Sequence, residues 1–113
     1  MYLMTKKFFK PLESIESLAI GYGACIATDH ITVLGKSVGY MYREQPSRSV
    51  TADNGWRFFS GEESQEYVDN PDNSNFYDTN TIANYDRSII PYIEMPIGSA
   101  FGKNSKGEFL EEK

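Results

Sequence analysis

The 113-residue sequence has a single cysteine and a single histidine. Cys25 has no second cysteine to pair with, which excludes an intramolecular disulfide framework and fits a reducing compartment. One His and one Cys cannot build a structural zinc site. Long apolar runs are also missing. The most apolar stretch, residues 18–27, contains Gly21 and Gly23 and is too short to span a bilayer. At the start, Lys6, Lys7 and Lys10 follow the first apolar residues and no apolar h-region comes after them. This is not the pattern of a signal peptide, and a cytoplasmic protein with no membrane partner is expected.

Positive charge is absent from the middle of the chain. Residues 58–86 carry seven acids and no Lys or Arg, whereas residues 1–57 carry seven basic residues against five acids, and residues 87–113 balance at four each. The formal net charge of −5 therefore lies in the centre. Such a stretch repels phosphate backbones, which argues against nucleic acid as a partner, and it steers a basic protein inward.

What is present suffices for one folded domain. Hydrophobic residues make up 40% of the chain and aromatic residues 14%, so large rings supply much of the core area that a short chain needs. Pro11, Leu12, Ile15, Leu18 and Tyr22 have helical spacing and predict a short helix in a variable N-terminal segment, residues 1–22. Gly21 and Gly23 would end it. The domain proper is expected over residues 23–113. Residues 24–28, 38–45 and 55–61 read as strands, the last two antiparallel neighbours joined by the polar loop 46–54. Residues 29–35 are ambiguous between strand and turn. A short helix is predicted to open at Ser60 or Gly61 and run to Val68, with Glu62 and Glu63 in its first turn. Residues 69–75 have turn chemistry, residues 80–85 favour a short strand, and residues 88–93 a helical turn limited by Pro91. Residues 96–101 and 108–111 would close the fold as strands around a turn at 104–107. Short strands with two or three short helices, without βαβ alternation, predict an α+β domain with a mostly antiparallel sheet.

Candidate chemistry is sparse. Cys25 and His30 lack a recognisable third residue or oxyanion loop, so a buried thiol and a loop histidine is the simpler reading. The oxygen-rich residues 69–78 lack the glycine and terminal glutamate of a calcium loop at the required offsets. Glu62 and Glu66 share a helix face but show no cleft that would tune them for acid–base work. No catalytic residue, metal or cofactor is expected. Tyr40, Tyr42, Trp56, Phe58 and Phe59 lie on adjacent strands, and core packing is expected for Trp56 and Phe58, with Arg57 and Phe59 on the opposite face. The acidic stretch is interleaved with Tyr67, Phe76 and Tyr77, aromatic types enriched at protein interfaces.

Several segments occur in order: Gly39-Tyr-Met-Tyr-Arg-Glu44, Gly55-Trp-Arg-Phe-Phe-Ser-Gly61, Asp69-Asn-Pro-Asp-Asn73, Thr81-Ile-Ala-Asn-Tyr-Asp86, Ser88-Ile-Ile-Pro91 and Ile97-Gly-Ser-Ala-Phe101. In these the chain resembles the bacterial immunity protein thirty-three family, formerly a domain of unknown function, over about residues 23–110. The resemblance implies a small α+β fold and a role beside polymorphic toxins, in which the protein binds and blocks a cognate toxin; the acidic surface would suit a basic one such as a nuclease. It supplies no catalytic residues. The acidic surface marks Glu62, Glu63, Glu66, Asp69, Asp72 and Asp78, with Tyr67 and Tyr77 as anchors, as the expected partner-binding residues. The alternative is a small-ligand or peptide-binding module with a cleft lined by Tyr40, Tyr42 and Trp56. A homodimer through an edge strand is compatible with either reading.

Overall fold

A computed structural model describes residues 6–112 of the protein. Residues 1–5 and 113 lie outside the described residues, and with them the start of the N-terminal segment and the last residue of the tail. Strands β1 (Ala24–Thr28), β2 (Tyr40–Arg43), β3 (Asp53–Phe59), β4 (Ser74–Asp78), β5 (Ala100–Lys103) and β6 (Phe109–Glu111) form one sheet in the order β4-β1-β3-β2-β5-β6. All neighbours are antiparallel except β1 and β3, which run parallel. Helices α1 (Asp29–Thr32), α2 (Gln65–Asp69) and α3 (Thr79–Tyr85) and 3-10 turns at Leu12–Ser14, Pro71–Asn73 and Arg87–Tyr92 complete an α+β fold.

Strand alternation divides the sheet into two unlike faces. On the inner face Phe58 of β3 pairs with Met41 of β2, and Met41 with Phe101 of β5. Trp56 lies two residues from Phe58, and all four side chains are buried. Cys25 and Ala27 continue this face on β1, where their small size lets the helices close down. Ile31 of α1, Ile82 and Ala83 of α3, and Ile89 of the Arg87–Tyr92 turn seal it. Burying a large apolar side chain stabilises the fold by about 1.5–3 kcal/mol. The indole Nε1 of Trp56 donates to the Ile93 carbonyl at 2.8 Å, so the ring is buried with its polar atom satisfied.

Five local expectations are corrected. The helix expected from Ser60 or Gly61 starts only at Gln65, behind the Ser64 cap, so Glu62 and Glu63 precede it and do not lie in its first turn. Residues 80–85 belong to α3, not to a strand. Thr81, Ile82 and Tyr85 favour strand, but Asp78 accepts a hydrogen bond from the Asn80 N–H, caps the segment, and turns Ile82 and Ala83 into the core. The N-terminal helix shrinks to Leu12–Ser14, all of it exposed, while Leu18, Ala19 and Tyr22 reach the core from irregular chain. Residues 29–35 open with α1. Val38 leaves the Tyr40 and Tyr42 face and is buried in the core, since regular pairing of β2 starts only at Tyr40.

Candidate partner-binding face

The outer face of the sheet carries Ile26, Arg57, Phe59, Tyr40 and Tyr42. Its β1 end is roofed by the connection between β3 and β4. Glu63 organises that roof: its carboxylate accepts hydrogen bonds from the Ser60 N–H at 2.8 Å, the Gly61 N–H at 3.0 Å and the Thr28 hydroxyl. Burial pushes this carboxyl up, but those donors outweigh it and hold it below its ordinary value. Ser64 caps α2 by accepting from the Tyr67 N–H. The helix then brings Val68 to the edge of an open cleft.

The cleft occupies the unroofed part of the face and has a volume of about 810 Å³. Its floor is aromatic. Tyr42 and Phe59 stack at 5.7 Å with their planes 13° apart, and Tyr40 lies 6.0 Å from each. Gly102 leaves the floor open beside Tyr40, and the Glu112 carboxylate lies over the space where a side chain at Gly102 would project. A smaller hollow of about 160 Å³ adjoins it and shares Tyr42, Phe59 and Val68. The two form a groove across the strands.

Beneath the groove lies a buried charge cluster. The Arg57 guanidinium donates two hydrogen bonds to Asp53, at 2.9 and 2.8 Å, and one from Nε to Glu44 at 2.7 Å. Asp53 also accepts from the N–H groups of Ser47 and Gly55. The Arg57 hydrogen bonds hold the Asp53 carboxyl well below the usual carboxylate range. This pairing depends on an irregularity in β3. The two steps from Ala24 to Ile26 match the four from Asp53 to Arg57, and Gly55 between them adopts a φ of +91°. Only glycine tolerates that backbone readily, and a Cβ at Gly55 would overlap the Glu44 carbonyl.

The Immunity protein Imm33 domain model matches residues 25–113, a span that holds the whole sheet apart from Ala24. The chain belongs to the Imm33 immunity protein family. No curated protein and no solved structure matches it.

In this Imm33 chain the eight acidic and aromatic residues singled out in the sequence lie in three places. Glu62, Glu66, Asp69 and Asp72 are exposed along α2 and its flanks. Glu62 pairs with Lys36 at 2.8 Å and Asp69 accepts from Gln65. Glu63 is engaged in the roof, and Tyr67 packs on the His30 ring at 4.6 Å. Tyr77 lies on the inner side of β4, where its hydroxyl meets Thr32, and Asp78 caps α3. Trp56 lines no cleft, and Phe59 takes the place expected for it beside Tyr40 and Tyr42.

The reactive residue types are arranged for structure. Cys25 is fully buried, and burial pushes its thiol up to about 12, which leaves almost no thiolate to attack a substrate. His30 Nδ1 lies 2.9 Å from the Ser60 hydroxyl, but Glu63 approaches that same nitrogen, at 3.8 Å. A relay needs the acid on the other ring nitrogen, where it orients the base. Among the described residues no group of His, Cys, Asp and Glu is arranged to hold a metal ion, and no helix is long and apolar enough to cross a membrane. Gly102 and Glu112 were not marked in the sequence, and Phe59 was put on the face opposite Trp56 but not in the cleft, because the cleft depends on the pairing of β2 with β3 and β5.

Proposed function

We propose that this chain binds and neutralises a cognate protein toxin. The observation that carries the reading is the Imm33 match over residues 25–113. It is supported by a sheet with one face committed to the core and the other leaving an aromatic cleft beside the acids of α2. The contact surface of this reading is the groove of Tyr40, Tyr42 and Phe59 with the neighbouring acidic ridge of Glu62, Glu66, Asp69 and Asp72. Glu63 supports that surface through the roof, whereas Tyr77 and Asp78 hold α1 and α3 on the inner side and stand outside it. Aromatic rings supply contact area at low conformational cost, and the acids favour a basic partner such as a nuclease.

The test is co-expression with the toxin-like product of a neighbouring reading frame, followed by calorimetry on the purified pair. Tight one-to-one binding with loss of toxicity is the expected result. Absence of both binding and protection would overturn the reading. A small-ligand or peptide-binding module would then lead, because Tyr40, Tyr42 and Phe59 already line an open cleft.

A further inference from the structure

Resting on the reading of this chain as a partner-binding protein, we infer that the outer cleft receives an arginine or lysine side chain carried on an extended segment of a protein partner. The floor and the rim point to the same chemistry. Tyr42 and Phe59 form a nearly parallel pair with Tyr40 beside it, and the faces of such rings attract cations. The chain uses this contact internally: the Arg43 guanidinium lies 6.0 Å from the Trp56 ring centre, and Lys103 Nζ lies 5.0 Å from that of Phe109, its cross-strand neighbour on β6.

The rim carries surplus negative charge. Four carboxylates, Glu44, Glu62, Glu63 and Glu112, line the groove against two cations, Arg57 and Lys103. Both cations are already matched from outside the groove, Arg57 by Asp53 and Lys103 by Asp86. Glu63 is engaged in the roof and Glu62 pairs with Lys36. Glu44 keeps half of its side chain exposed although it touches Arg57. Glu112 forms no ion pair among the described residues. An anionic ligand meets repulsion here. A cationic side chain in the smaller hollow satisfies the aromatic faces and Glu44, while Glu112 in the larger hollow adds to the attraction for a basic segment.

The groove shape selects an extended carrier. The two hollows share Tyr42, Phe59 and Val68, so the path runs from Glu112 and Gly102 to Asn73 and Ser74 across the strands. A segment laid along it can place one long side chain in the smaller hollow beside Glu44 while its backbone crosses the larger one.

The experiment titrates isotope-labelled protein with the peptide acetyl-Ser-Arg-Ser-Arg-Ser-amide, followed by NMR. A second peptide carries citrulline, which keeps the shape of arginine and removes its charge. Expected are saturable shifts of the Tyr40, Tyr42 and Gly102 amides with the arginine peptide and none with the citrulline peptide. Glu44→Gln combined with Glu112→Gln should weaken the affinity about fivefold or more, and Tyr42→Leu should weaken it by a similar factor. Glu112→Gln alone, at an exposed residue, guards against misfolding of the other variants and should give a smaller loss. Equal shifts from both peptides, or no shift at these amides, would overturn the proposal. The titration uses no toxin, so its failure stays distinct from a failure of the immunity reading, which the calorimetry decides.

Discussion

Arg57 and Asp53 make the most heavily buried charge contact at the level of single residues, and its worth can be bounded. Removing one member of such a pair leaves the other charge unpaired inside the protein and typically costs about 3–5 kcal/mol. Asp53→Asn should fall at the lower end, about 3 kcal/mol, because Glu44 still holds Arg57 Nε. Urea unfolding reads this directly, and an unchanged midpoint would show that the pair is dispensable. The pH dependence has a definite sign. The folded-state pKa of Asp53 is depressed, so its contribution is present above the unfolded value of about 3.9 and is lost as pH falls from there through the folded value. The gap between wild type and Asp53→Asn should therefore narrow below about pH 4. Curves that stay parallel down to strong acid would contradict this. The sequence shows that Arg57 and Phe59 share a face and that Trp56 and Phe58 share the other. It does not show that Arg57 is buried, because a straight strand would not return Asp53 to it. The irregularity at Gly55 does, and that depends on the register with β1.

The elements show where tertiary contacts overrule local preference. α3 is built from residues that favour strand or turn, yet its two asparagines grip the chain that precedes β1. Asn80 Oδ1 accepts from the N–H groups of Leu18 and Ala19 at 2.7 and 2.8 Å, and its Nδ2 donates to the Glu16 carbonyl at 2.8 Å. Asn84 holds Glu16 as well. Asn80→Ala should therefore cost about 1–3 kcal/mol, the range for stranding buried polar groups. It should also expose the Leu18 and Ala19 amides to hydrogen exchange while those of β3 stay protected. Unaltered protection at Leu18 and Ala19 would mean that other contacts hold the segment. Strands with plain alternation or a compact apolar run, such as β1 and β3, are legible in sequence. Asparagine side chains that replace backbone partners more than sixty residues away carry no local signal.

Over the whole molecule, charge and architecture are segregated together. The acid-rich stretch of residues 58–86 contains α2, which lies beside the open outer face. Fixed charge of one sign next to a binding surface accelerates encounter with a partner of opposite sign, an effect that salt removes. Replacing Glu62, Glu66 and Asp72 together by their amides should slow association with a basic toxin about tenfold at low ionic strength and flatten its salt dependence. Stopped-flow traces with the same salt slope for both proteins would exclude the ridge from the encounter. The acidic block was legible from composition alone. The cleft beside it was not, since it arises where β2, β3 and β5 bring together residues with no common motif.

The buried thiol of Cys25 gives the protein an internal clock. No other cysteine competes for a thiol reagent, and Cys25 has no exposed surface on β1, an interior strand flanked by β4 and β3. Modification must wait until β1 opens, so the labelling rate should report excursions of the core and ignore fraying at the ends. In native buffer the reaction should run orders of magnitude slower than with a free thiol. It should accelerate in urea in step with global unfolding, and a tightly bound partner should slow it further. Rapid labelling in native buffer would contradict the sealed core described above. The same measurement needs no engineered probe, so it can follow partner binding through the time the core spends closed.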